Sequence, residues 1–130
     1  MPSLFTRIIN GEIPSYKIAE NSAFYAFLDI NPLAKGHTLV IPKKEVDYIF
    51  DLDYNTYIGL FEFSKKVAAA LESVIDCERI GVSVIGLEVP HAHVHLIPID
   101  QIGDMNFSNQ RVTLSQAEFS GIADKIRAAF

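Results

Sequence analysis

Apolar residues recur every three or four positions in three segments of the chain, which is the spacing of a helix with one buried face. The first segment is short: Leu4, Phe5, Ile8 and Ile9. The longest helix is predicted over about 54–75, with Asp53 as its N-cap. The last helix begins with a capping box at 115–118. Four apolar residues are predicted to form its buried face: Phe119, Ile122, Ile126 and Phe130.

Five other segments have the apolar and alternating pattern of strands. They lie at residues 16–19, 23–29, 37–41, 80–85 and 91–99. Turn-forming residues at 20–22 join the first two, and a short turn at Gly86 joins the last two. Because strands and helices do not alternate regularly, the pattern predicts an antiparallel α+β sheet. A chain of 130 residues fits one domain, spanning 1–130.

The composition is that of a globular protein with an apolar core, with 49% apolar and 21% charged residues. The net charge of −5, with acidic and basic residues interspersed, argues against a bulk electrostatic interaction with nucleic acid. No segment approaches the roughly 20 apolar residues that cross a bilayer. A membrane partner is therefore not expected, and the N-terminus shows no signal-peptide pattern. The single cysteine, Cys77, forms no disulfide within the chain, which favours a cytoplasmic location.

Three of the four histidines lie at alternate positions in the last predicted strand: His91, His93 and His95. Alternate residues of a strand face the same side, so the intervening apolar residues face the core. Three imidazoles in a row need polar partners, and the pattern therefore predicts that their face is not wholly buried. The fourth histidine, His37, begins another predicted strand and joins the row if the two strands are neighbours.

Clustered histidines suit three kinds of chemistry, and periodicity alone leaves all three open. A neutral imidazole can attack phosphorus or an acyl carbon while its neighbours supply protons and charge. Two or three imidazoles on one strand face can instead coordinate zinc. A polar strip on an edge strand is the structural alternative.

The segment His91-Ala92-His93-Val94-His95-Leu96-Ile97 resembles the signature of the histidine triad family, in which three histidines alternate with apolar residues. Segments 4–14, 27–32 and 36–43 resemble other parts of the family in the same order. The resemblance covers about residues 4–98 and is closest to the Hint-like branch. It implies a five-stranded antiparallel sheet with a long central helix and a C-terminal helix. It also implies a homodimer and a cleft for a purine nucleotide or nucleotide conjugate, with no cofactor or catalytic metal.

The resemblance assigns a role to each histidine. His93 would be the nucleophile that takes the nucleotidyl group as a covalent phosphoramidate, and water would then release the nucleoside monophosphate. His91 and His95 would orient His93 and contact the phosphate. His37 matches the histidine of the family's preceding strand.

The resemblance also implies a nucleoside-binding set. Asp29 matches the acidic residue that hydrogen-bonds the ribose hydroxyls. Five apolar residues match those that enclose the base: Leu4, Phe5, Ile8, Phe27 and Ile30.

Two segments depart from the family pattern. Many relatives carry a Cys-x-x-Cys that binds structural zinc, and Ser3 and Thr6 stand there in this chain, so no such zinc site is expected. The segment before the triad is shortened to residues 83–90. Ser83 is expected to replace the amide that contacts the phosphate. Glu88 stands where a hydroxyl often contacts it, so Glu88 either turns away or selects a different substrate.

These features predict a hydrolase or transferase that cleaves nucleoside 5′-phosphoramidates or related nucleotide conjugates through a nucleotidyl intermediate on His93. One alternative is a nucleotide-binding regulatory protein with slow turnover. Others are a dinucleoside polyphosphate hydrolase and a metal-dependent hydrolase that uses the three histidines as ligands.

Overall fold

The computed structural model describes residues 2–130, so Met1, the first residue of the predicted domain, lies outside the described residues. Within that range one antiparallel sheet has the strand order β1-β2-β3-β5-β4. Its strands are β1 (Lys17–Glu20), β2 (Phe24–Leu28), β3 (Thr38–Pro42), β4 (Arg79–Ser83) and β5 (Val94–Ile99). The helices are α1 (Leu4–Ile9), α2 (Tyr54–Val74) and α3 (Gln116–Ala129). The antiparallel α+β sheet predicted from the sequence is confirmed.

The two long helices begin at the caps that the sequence predicts. The Asp53 side chain accepts a hydrogen bond from the Thr56 amide, and the Ser115–Glu118 capping box starts α3. The prediction for Phe130 is wrong: it follows the last turn of α3 and is half exposed. No helix of residues 2–130 is long and apolar enough to cross a membrane.

Both faces of the central strands are covered, which is why every residue of β2 and β3 is buried. On one face, residues such as Val40 and Leu96 belong to the large core that includes α2 and α3. The other face carries a smaller cluster, in which Phe5 and Ile8 of α1 pack with Phe27. Burying a side chain of this size contributes roughly 1.5–3 kcal/mol. The small cluster extends to the histidine row, because the Phe5 ring also contacts histidine rings.

The connection from β4 to β5 is longer than predicted. β4 ends at Ser83 and β5 begins at Val94, so His91 and His93 precede the strand rather than lie in it. The backbone amides of His91 and Ala92 donate to Val89 and Val46 instead of to a neighbouring strand. These bonds use the ladder-forming groups and leave residues 84–93 as an irregular loop.

A glycine controls the entry to β3. Gly36 has φ +94°, and a Cβ at this position would lie 2.9 Å from Cγ1 of Ile75. Both the backbone angle and the close packing of α2 therefore favour glycine. The turn places His37 directly before β3, which neighbours β5 and its His95.

Candidate active site

The histidine row is buried, so the prediction of a partly exposed face is wrong. His91 and His37 are 0% and 1% exposed, and His93 and His95 are 6% and 8% exposed. Burial is tolerated because six of the eight ring nitrogens find partners in the α1 N-cap, β3, the preceding loops and each other. Within residues 2–130, no fully buried side-chain nitrogen or oxygen lacks a hydrogen bond.

His91 is held at both nitrogens. Its Nε2 lies 2.8 Å from the carbonyl of Pro42, which can only accept, so Nε2 carries the proton. Nδ1 then accepts from the Ser3 hydroxyl at 2.8 Å. The Glu45 carboxylate completes this group by accepting from the Ser3 amide and the Thr6 hydroxyl, each at 2.6 Å. These hydrogen bonds, Thr6 first, lower the pKa of Glu45 to about 2.

His93 has a fixed tautomer. Its Nδ1 donates to the His91 carbonyl at 2.8 Å, so the neutral ring carries its lone pair on Nε2. Desolvation by burial lowers the pKa of His93, partly offset by the His91 carbonyl and the carboxylates of Asp29 and Glu88. The Phe5 ring packs edge-on against the imidazole, with centroids 5.0 Å apart. The result is a neutral imidazole with a fixed orientation.

His37 and His95 form a second hydrogen-bonded chain. The Leu33 amide donates to Nδ1 of His37 at 3.0 Å, so Nε2 of His37 carries the proton in the neutral ring. That Nε2 donates to Nδ1 of His95, also at 3.0 Å. In neutral His95 the proton therefore lies on Nε2. Burial lowers the pKa of His37 to about 3 and of His95 to about 4. The positive charge of Arg111 acts in the same direction on both.

A cavity of about 210 Å³ opens beside the row, between α1 and the sheet. It brings together nine of the residues predicted to bind or react with a nucleotide: Leu4, Phe5, Ile8, Phe27, Asp29, Ile30, Glu88, His93 and His95. Its walls are mostly apolar, as a base-binding pocket requires.

The acidic residue of this cavity is Asp29. One of its carboxylate oxygens accepts from the Asn31 amide at 2.8 Å, and the other lies 3.6 Å from Nε2 of His37. Desolvation by burial raises the pKa of Asp29. The carboxylate can accept hydrogen bonds from a diol in the cavity.

Three predicted site residues do not line this cavity. His91 lies behind His93, and His37 lies behind two lining residues, His95 and Asp29. Ser83 pairs with His95 across β4 and β5. It lines neither this cavity nor a second cavity beside Phe107.

The structure adds two site residues that sequence reasoning missed. A second cavity, also about 210 Å³, contains Phe107 and Arg111 from the loop between β5 and α3. The Phe107 ring packs edge-on against His95, with centroids 4.9 Å apart. The loop has no periodic pattern to reveal this. The one available signal was charge, because Arg111 is the only Lys or Arg between Arg79 and Lys125.

The hydrogen bonds of the histidines limit which of them could bind a metal. His91 uses both nitrogens in hydrogen bonds and would have to give one up to bind a metal. A different set comes together instead: ligand atoms of Asp29, His37 and His95 lie within 4.8 Å of one another. In this arrangement the two histidine nitrogens are hydrogen-bonded to each other.

Comparisons with known proteins agree with this architecture. The HIT domain family model matches residues 10–102. An uncharacterized HIT-like protein of Borreliella burgdorferi is 39% identical over 102 residues, 73% of each chain. The adenosine 5′-monophosphoramidase hnt1 of Schizosaccharomyces pombe is 36% identical over 100 residues, 75% of this chain and 74% of the relative. A crystal structure of a Hit-like protein from Bartonella henselae superposes with a TM-score of 0.84 at 32% identity, covering 98% of this chain and 96% of that one.

Proposed function

Because the chain belongs to the HIT domain family, we propose that it hydrolyses nucleoside 5′-phosphoramidates and related nucleotide conjugates, with His93 as the nucleophile. The activity of the S. pombe relative supports nucleotide hydrolysis of this kind. A cytoplasmic location stays a prediction from the single cysteine.

The observation that carries the proposal is the tautomer of His93. Nδ1 is committed to the His91 carbonyl, whereas Nε2 has no hydrogen-bond partner in residues 2–130 and faces the cavities. A neutral imidazole with an exposed lone pair is the reactive form for attack on phosphorus. A structural histidine in a core would have partners on both nitrogens, as His91 does.

The reaction follows from this arrangement in two steps. Nε2 of His93 attacks phosphorus, the P–N bond to the amine breaks, and the departing nitrogen takes up a proton from water in the open cavity. The ring keeps its Nδ1 proton on the His91 carbonyl, which stabilises the positive charge of the nucleotidyl-imidazolium. A water then attacks phosphorus and loses its proton to solvent. The P–Nε2 bond breaks, and the nucleoside monophosphate leaves.

His95 supplies the donor for the phosphoryl oxygens. Its Nε2 carries a proton because His37 occupies Nδ1. A neutral donor fixed before the reaction needs little reorganisation when charge grows on the phosphoryl oxygens. The apolar cavity takes the base, and Asp29 binds the ribose hydroxyls.

The test is release of adenosine 5′-monophosphate from an adenosine 5′-phosphoramidate, with wild type and His93→Ala compared. We expect turnover by wild type and a loss of at least about 10³-fold in the variant. A rapid quench at short times is expected to trap one nucleotidyl group per chain by intact mass, absent in His93→Ala.

Three outcomes separate the alternatives. Labelling of His93 without steady turnover would favour a slow regulatory protein. Preferential cleavage of a dinucleoside polyphosphate would favour that class of hydrolase. Activity that a chelator abolishes and zinc restores would contradict the metal-free mechanism.

We also propose a homodimer. β4 is an edge strand of the sheet, and large apolar side chains near it are exposed: Val82, Ile85 and Leu87. Tyr48 and Phe50 are exposed too and share a cavity with Ile85 and Leu87. Apolar surface of this kind marks an interaction site. Sedimentation equilibrium is expected to give twice the chain mass for wild type and a shift toward monomer for Val82→Lys. A monomeric wild type would contradict the proposal.

A further inference from the structure

Three cavities reach His93. The apolar cavity beside α1 and the second cavity beside Phe107 share Asp29, Glu88, His93 and His95. The cavity beside Tyr48 and Phe50 also includes His93 but none of the other three. If the nucleoside occupies the apolar cavity, the second cavity is therefore the one continuous with it that can receive the group that leaves phosphorus.

The second cavity has a fixed positive charge on one wall. The Arg111 guanidinium donates to the carbonyls of Asn31 and Phe107, at 2.9 and 3.2 Å, and lies over the Phe107 ring. Within residues 2–130, no carboxylate forms a salt bridge with it. Its charge adds to the burial that lowers the pKa values of His37 and His95, and the guanidinium shares this cavity with His93 and His95.

Two carboxylates line this cavity, those of Asp29 and Glu88. Asp29 is partly buried and accepts from the Asn31 amide, whereas the Glu88 side chain is exposed and forms no salt bridge or side-chain hydrogen bond with the rest of residues 2–130. The charge of Glu88 partly offsets the lowering of the His93 pKa by burial. Glu88 is thus an exposed carboxylate at the cavity without a cation of its own.

We infer that Glu88 selects the leaving group: the second cavity accepts an amine that carries an additional ammonium, and Glu88 disfavours anionic leaving groups. The inference rests on the proposed function, since it concerns the same reaction. An ammonium in the leaving group would pair with Glu88 while the phosphoryl oxygens face the positive charge of Arg111. A polyphosphate leaving group would bring added negative charge to the same carboxylate.

The assignment separates this chain from a dinucleoside polyphosphate hydrolase by charge. Such a substrate has a leaving group with several negative charges, which Glu88 repels. A phosphoramidate of a diamine has the reverse pattern. Glu88, which departs from the family pattern in the segment before the triad, is therefore the residue that determines which leaving group is accepted.

The experiment uses three adenosine 5′-phosphoramidates of nearly equal leaving-group size, made from 1,3-diaminopropane, butylamine and 4-aminobutyrate. Their free ends are an ammonium, a methyl group and a carboxylate. The measured quantity is kcat/KM for release of adenosine 5′-monophosphate. For wild type we expect the ammonium substrate to exceed the methyl substrate about two- to fivefold, the range of exposed ion pairs. The carboxylate substrate is expected to be poorer by a similar factor. Higher salt is expected to compress both ratios.

Substitutions of Glu88 test whether its carboxylate causes the preference among the three substrates. Glu88→Gln is expected to bring the ratios close to one, and Glu88→Lys to invert them. Glu62→Gln on α2 is the matched control: it removes the same charge from an exposed site outside both cavities and is expected to keep the wild-type ratios. Equal ratios in wild type and Glu88→Gln would overturn the inference. Failure of wild type to cleave any of the three would instead contradict the proposed function.

Discussion

The two ends of the histidine row are both buried but are held in different ways. At one end, His91 is bonded to the backbone of Pro42 and to Ser3 of the α1 N-cap, so both of its nitrogens are occupied. At the other end, His95 is bonded only through Nδ1, to His37, and its Nε2 faces the cavities. His93 lies between them, fixed through the His91 carbonyl and open at Nε2.

The difference teaches that burial alone does not identify the reactive histidine. Desolvation lowers the pKa of all four rings and keeps them neutral near pH 7. The rings differ in whether the second nitrogen also has a hydrogen-bond partner. In the proposed reaction, His91 anchors the nucleophile His93, and His95 presents an N–H donor to the substrate.

The largest effect in this comparison is expected on kcat, from removing the imidazole of His95. His95→Ala is expected to lower kcat by about 10²–10³-fold, because the phosphoryl oxygens lose a fixed donor. His95→Gln, whose amide can place an N–H near the position of Nε2, is expected to recover part of the rate. Steady-state kinetics on an adenosine phosphoramidate measures both variants. A kcat within threefold of wild type for His95→Ala would remove His95 from the reaction.

Replacing His91 with alanine is expected to lower the free energy of unfolding more than replacing His95 does. His91→Ala removes the donor to the Pro42 carbonyl and the acceptor for the Ser3 hydroxyl and creates a cavity, at a cost of about 3 kcal/mol. Urea unfolding of the two alanine variants measures the contrast. If His95→Ala destabilised the protein more than His91→Ala, the division between anchor and donor would be wrong.

The pH dependence of stability is expected to report the His37–His95 chain. Both pKa values are lower in the folded protein, about 3 and about 4, than the value of about 6.5 of an unfolded histidine. The unfolded state therefore binds more protons below pH 6.5, and stability is lost as the pH falls. Between pH 6.5 and 4.5 the loss is about 2 kcal/mol for each independent histidine. Asp29, with its raised pKa, acts in the opposite sense at lower pH.

Urea unfolding across this pH range measures the slope for wild type and for His37→Gln. The variant is expected to have a shallower slope, whatever its absolute stability. An unchanged slope would show that His37 does not resist protonation in the folded protein.

The smallest change in stability is expected from substitutions of Ser3 and Glu45, the polar residues around His91. Ser3→Ala removes the α1 N-cap and the donor to Nδ1 of His91, at a cost of about 1 kcal/mol. Glu45→Gln keeps the hydrogen bonding partly intact and is expected to cost less. Thermal unfolding measures both, with Ser3→Thr as the variant that retains the hydroxyl. A larger effect of Glu45→Gln than of Ser3→Ala would mean that charge, not the hydroxyl, holds His91.

Local patterns were sufficient for the helices and the sheet class. The caps at Asp53 and Ser115 begin helices in the structure because a side-chain oxygen bonds an amide three residues away, an interaction set by adjacent sequence. The strand limits were less predictable. The irregular loop at residues 84–93, which shortens both strands, depends on bonds between residues remote in sequence, such as that from the Ala92 amide to the Val46 carbonyl.

The sequence by itself determined the α+β class, the histidine spacing and, through resemblance to the family, the set of nucleotide-site candidates. Only the tertiary structure decided the states of His91 and His95, because each of these two tautomers depends on a partner from another element: Pro42 for His91 and His37 for His95. It alone placed Arg111 opposite the row, since a loop without periodicity is positioned by its contacts with distant backbone. Residue type and spacing specify which groups can react. The hydrogen bonds of the folded chain, local for His93 and long-range for His91 and His95, specify which ring nitrogens stay without a partner.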